Sequence, residues 1–88
     1  MKPQIGDVVT CKTREQAYYS NYGGPPECWF EPGDMGLVTS VDVPYVYHIK
    51  GKSMTFCCVD FAKDGRKWRA GIDPKNLRII TRMVTHVL

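Results

Sequence analysis

Apolar and polar residues alternate along much of this chain with a period of two, the spacing of a strand with one buried face. The cleanest run is residues 67–72, where Trp68, Ala70 and Ile72 fall on one side and Lys67 and Arg69 on the other. Residues 35–43 alternate too, placing Leu37, Val41 and Val43 on one face with Thr39 between them, and Val38, Ser40 and Asp42 on the other. A third run, 45–49, sets Tyr45, Tyr47 and Ile49 on one side. Residues 54–61 are apolar on both faces, which predicts a central strand. Residues 5–12 predict a first strand whose inward set stays open, because Ile5, Val9 and Cys11 share one parity and Val8 has the other. Residues 77–80 predict a closing strand. Residues 81–88 alternate again, as an additional edge strand that is either a pairing hazard or a homodimer seam.

Turn chemistry punctuates these runs. Asp64-Gly65 supplies the positive φ angles of a two-residue primed hairpin turn. Asp73-Pro74-Lys75-Asn76 predicts a single 3-10 turn, with Asp73 capping and Pro74 in first position. Thr13 and Gln16 have the spacing of a capping box, which predicts a helical turn over residues 13–19. Residues 20–27 then form a loop by composition, and Pro32-Gly33 turns the chain. Residues 13–32 thus make a connection of about 20 residues, a length that is usually functional or disordered. Its aromatic residues, Tyr18, Tyr19, Tyr22, Trp29 and Phe30, favour recognition over disorder. The alternative is that Trp29 and Phe30 lid the core.

The predicted order is strand, long loop, strand, two hairpins, short helical turn, strand. The ending, with Gly71, Ile72, Pro74, Asn76 and Leu77, resembles the Gly-x-Ile/Val-Pro-x-Asn-Tyr signature of Src-homology-3 domains. It departs from that signature by inserting Asp73 and by carrying Leu77 in place of Tyr. Gly33, Gly36 and Val38 resemble the Gly-x-x-Gly-x-Val core of KOW-type small barrels, found in ribosomal and transcription proteins. These resemblances imply an all-β fold: a small SH3-like barrel of five to six antiparallel strands, with a long first loop and one short 3-10 turn. Residues 1–88 are expected to form one such domain. In the peptide-binding family the groove is built from first-loop aromatics, a tryptophan and the turn proline. The residues carried over onto it are Tyr18, Tyr19, Tyr22, Trp29 and Pro74. Trp68 alternates with Lys67 and Arg69 and is expected in the core. Stand-alone barrels of this kind suit accessory subunits, regulators and proteins of phages or mobile elements.

Charge changes the picture. Residues 1–44 carry three cations against six acids, and residues 45–88 carry nine cations against three acids, for a net +3 overall. Lys50, Lys52, Lys63, Arg66, Lys67 and Arg69, with Lys75 and Arg78, concentrate on hairpin turns and one strand face, a pattern that attracts phosphates. The competing reading is a solvated face that keeps the protein soluble. A sequence pI near 8.7 lies below the range of a dedicated nucleic-acid binder. A protein partner is therefore the first expectation and nucleic acid the alternative.

Chemistry is sparse. The N-terminal residues lack the apolar core of a signal peptide and no apolar run spans a membrane, so a cytoplasmic protein with reduced thiols is expected. Cys57 and Cys58 are adjacent and point to opposite faces of a strand, so they do not readily grip one metal. A zinc set from Cys11, Cys28, one of that pair and His48 is weakly signalled; buried, inert thiols are the default. His48 could pair with Cys57 or Cys58 across a hairpin, but no orienting third group accompanies them. The expectation is a non-catalytic binding module without cofactor or metal.

Overall fold

A computed structural model describes residues 2–19, 28–44 and 55–81. Tyr22, Lys50, Lys52, both histidines, the expected strand over 45–49 and residues 82–88 lie outside these. Among the described residues, seven strands and one 3-10 turn follow in order: β1 (Val8–Cys11), β2 (Glu15–Tyr19), β3 (Cys28–Phe30), β4 (Gly36–Pro44), β5 (Thr55–Lys63), β6 (Arg66–Ile72), the turn Pro74–Asn76 and β7 (Leu77–Thr81). All pairings are antiparallel, in the spatial order β3-β2-β6-β5-β4-β1-β7.

The all-β class and the 3-10 turn match expectation; the closed barrel does not. β3 and β7 end the strand order, and no ladder joins them among the described residues. Five strands, β6-β5-β4-β1-β7, make the main sheet. β2 and β3 form a ribbon whose ladder to it, among the described residues, runs only where Tyr18 and Tyr19 pair with Arg69 and Trp68. β3 is three residues long and pairs with Glu15, Gln16 and Ala17 along one edge, and its other edge, too short to sustain a long ladder, carries none among the described residues. Side chains of β1 hold the neighbouring chain instead of a ladder. The Cys11 thiol donates to the Phe30 carbonyl at 3.2 Å, and the Thr10 hydroxyl accepts from the Gly33 N–H at 2.9 Å.

β2 also overturns the helical turn expected over 13–19. Thr13 does not cap a helix; its backbone N–H and hydroxyl both donate to Asn76 Oδ1 at 3.0 Å, and its carbonyl accepts from Asn76 Nδ2 at 3.0 Å. The same amide donates to Glu15 Oε1 at 2.7 Å. Residues 15–19 then run extended, burying Ala17 completely. Asn76 is in turn placed by the 3-10 turn, whose cap Asp73 accepts from the Lys75 N–H at 2.9 Å.

One core collects the inward residues of every strand: Val9 and Cys11, Ala17, Cys28 and Phe30, Val38, Cys57, Val59 and Phe61, Trp68, Ala70 and Ile72, and Leu77. The alternation read in β6 is reproduced, and Trp68 is buried with its indole N–H donating to the Lys63 carbonyl at 3.0 Å. That bond satisfies the ring's one polar atom, as a buried tryptophan requires. Phe30 and Phe61 pack with ring centroids 4.7 Å apart. β5 is central, between β4 and β6. The Asp64-Gly65 turn has φ of 54° and 72°, the left-handed pair that makes glycine favourable at the second position.

β4 departs from strict alternation. Leu37, expected inward, is 44 % exposed, whereas Gly36 and Val38 are buried. Register shifts between Val38 and Ser40 and between Ser40 and Val43 each insert an extra residue opposite β5. Bulges of this kind let Val38 and Val41, of opposite parity, both reach the core. Gly36 is the point of closest approach. A Cβ there would overlap Val59 Cγ1 and lie 3.2 Å from both the Asp60 carbonyl and Phe30 Cζ.

Candidate functional site

The β2–β3 ribbon turns the Trp29 ring outward. In β3, Cys28 and Phe30 enter the core, so alternation turns Trp29 out, 37 % exposed. Phe30 is the lid; Trp29 is not. The Arg14 guanidinium carbon sits 4.3 Å from the Trp29 ring centroid, a cation–π contact. Gln16 lies directly across the ladder. Trp29, Arg14, Glu15 and Gln16, with Phe56 of β5 and Gly71 of β6, line a cleft of about 510 Å³.

The back of Trp29 is fixed by Lys63. Its ammonium donates to the Trp29 carbonyl at 3.0 Å, to Glu31 Oε2 at 3.2 Å and to Asp34 Oδ2 at 3.0 Å. Asp34 also accepts from the Glu31 N–H at 3.0 Å. Burial alone would raise the Asp34 carboxyl, but that N–H and the Lys63 ammonium outweigh it and hold the group below the usual carboxylate range. The hydrogen bond to Asp34, chief among several causes, pushes Lys63 up.

The basic hairpin is thus partly neutralised. Lys63 serves two carboxylates, and Arg69 grips Asp60 through two bonds of 2.7 and 3.1 Å. Arg66 and Lys67 are exposed at the hairpin tip. Tyr18 and Tyr19 lie on the β2 segment paired to β6. Pro74 does not join Trp29. It lines a second cleft, of about 950 Å³, with Lys2, Pro3, Lys12, Thr55, Lys75, Leu77, Arg78 and Ile79.

Arg14, Gln16 and Phe56 escaped the sequence reading. A strand assignment for residues 15–19, with its run of Ala17, Tyr18 and Tyr19, would have put Gln16 beside Trp29. The capping-box spacing concealed it. Cys11, Cys28 and Cys57 are buried free thiols whose ionisation burial pushes up, and Cys58 is half-buried on the other face of β5. No cluster of metal-ligating side chains occurs among the described residues, and none of their helices is long and apolar enough to cross a membrane. Compared with known protein families, curated proteins and solved structures, the chain matches none of them.

Proposed function

We propose that this chain is a cytoplasmic, non-catalytic binding module that recognises a protein partner through the ribbon carrying Trp29. The observation that carries the reading is the exposed Trp29 ring, clamped by Arg14 in front and by Lys63 at its carbonyl, over a cleft with an aromatic side. Exposed tryptophan and arginine held in fixed geometry are the residues that dominate protein interfaces, because little conformational freedom remains to be lost on binding. Tyr18, Tyr19 and Tyr22 stay with Trp29 in the proposal as the aromatic candidates of the sequence, Tyr18 and Tyr19 standing on β2, the strand that pairs with β3. The reading fits the SH3-like resemblance of the sequence: in chain order β2 and β3 follow the first strand, where that family carries its long first loop, and a 3-10 turn precedes β7.

The alternative, nucleic-acid binding through Lys50, Lys52, Lys63, Arg66, Lys67 and Arg69, is weakened by the carboxylates on Lys63 and Arg69. The test is affinity capture from lysate with wild type and Trp29→Ala, with and without nuclease. A specific protein retained by wild type through nuclease treatment and lost by a Trp29→Ala variant of unchanged melting temperature supports the reading. Capture abolished by nuclease in both proteins overturns it in favour of nucleic acid.

A further inference from the structure

We propose that the second cleft is a separate binding site for an acidic peptide segment bearing aliphatic side chains. It goes beyond the Trp29 reading, since the two clefts share no lining residue. The cleft is made where β7 and the 3-10 turn meet the segment around Pro3 and the first residue of β5. Its apolar surface comes from Pro3, Pro74, Leu77 and Ile79, and its cations are Lys2, Lys12, Lys75 and Arg78.

The charge here is of a different kind from that of the hairpin. Lys63 and Arg69 already hold carboxylates, and Lys2 is bonded to Asp42 at 2.8 Å. Lys12, Lys75 and Arg78 are exposed and form no ion pair among the described residues. The one acid on the cleft, Asp73, is occupied as the cap of the 3-10 turn. Three cations without an ion pair among the described residues, against the single Asp73 of the described lining, create a positive potential that selects an anionic ligand.

The apolar surface decides which anion. It is aliphatic, with no aromatic ring among the described lining residues, and a single-stranded nucleic acid draws much of its affinity from bases stacked on aromatic rings. A carboxylate-bearing peptide uses both components, its acids on the cations and its aliphatic groups on Pro74 and Ile79. β7 suits a peptide as well: among the described residues it is laddered only to β1, so its other edge offers backbone donors and acceptors to an extended chain.

The test uses a fluorescein-labelled peptide of alternating Glu and Leu, with Lys–Leu and Glu–Ser peptides and an oligothymidylate as comparisons, read by anisotropy. The expected order places Glu–Leu first. Lys12→Gln/Lys75→Gln/Arg78→Gln should weaken Glu–Leu binding about tenfold, the effect of three surface charge contacts, while Lys67→Gln outside the cleft leaves it unchanged. All three substituted side chains are exposed, so the melting temperature should stay at the wild-type value. Four results would each overturn the proposal: no binding of Glu–Leu, equal binding of Lys–Leu or Glu–Ser, tighter binding of the oligothymidylate, or an affinity that the triple substitution leaves intact. Trp29→Ala leaves this cleft untouched, so loss of the Trp29 partner and loss of the peptide are read independently.

Discussion

Replacing Gly36 by alanine tests the packing at the centre of the fold more sharply than any surface change. The added methyl would overlap Val59 Cγ1 and press on the Asp60 carbonyl and Phe30 Cζ at 3.2 Å. Val59 and Phe30 are both wholly buried, so neither can swing into solvent. Overpacking of this sort costs about 1–3 kcal/mol. Alanine also lowers the entropy of the unfolded chain, an opposing gain of about 0.4–1 kcal/mol. The expected net loss is about 1–2 kcal/mol, or roughly 4–16 °C in melting temperature for a domain of this size. Val59→Ala removes the colliding atom and should itself cost about 2–3 kcal/mol through lost burial and the cavity it leaves. When the two substitutions are combined, the methyl introduced at position 36 fills part of that cavity. The double variant should therefore be more stable than the sum of the single losses by about 1–2 kcal/mol. Urea unfolding of the four proteins in the cycle measures this directly. Additivity within about 0.5 kcal/mol, or a Gly36→Ala variant as stable as wild type, would refute the reasoning.

The Lys63 cluster should give a pH signature. Asp34 is held below its usual range, so its contribution is present at neutral pH and lost as pH falls through its folded value. Lys63 is raised, so its contribution is lost only as pH rises through its own folded value in strong alkali. Lys63→Met should lower the urea midpoint at neutral pH, and the deficit should shrink near about pH 2, where carboxylates are protonated; a deficit independent of pH contradicts the assignment. For the thiols, a maleimide reagent should label Cys58 first in the native protein. Cys11, Cys28 and Cys57 should react only on unfolding, because they are buried and their thiolates are disfavoured. Mass spectrometry of partially labelled protein scores the order, and early labelling of Cys57 would count against the packing of β5.

What was legible in the sequence was what local rules control. The period-two run of β6, the Asp64-Gly65 turn and the Asp73-Pro74 cap depend on neighbours within a few residues, and all three occur as read. Leu37 departs from its expected face because alternation assumes an unbroken register, and the two bulges of β4 exist only opposite β5. Residues 15–19 escape the helical reading although Thr13 and Gln16 satisfy its local rule. The bonds that defeat it come from Asn76, far along the chain. The Trp29 surface was half legible: the ring could be named, but not the arginine above it or the lysine behind it. Within the Gly33-Gly36-Val38 motif, Gly33 supplies a turn at φ 99°, Gly36 admits Val59 and Val38 enters the core.

The position of β1 has a consequence for how the protein is made. Val8 and Val9 pair with Leu37 and Gly36 on one side and with Thr81 and Ile79 on the other. The ribosome delivers the first partner midway through synthesis and the second only after β7 has emerged from the exit tunnel. Until β7 docks, β1 holds an unpaired edge beside a core that still lacks Leu77, the kind of intermediate that invites chaperones or premature association. Docking of β7 is thus the step that completes the ladders of β1.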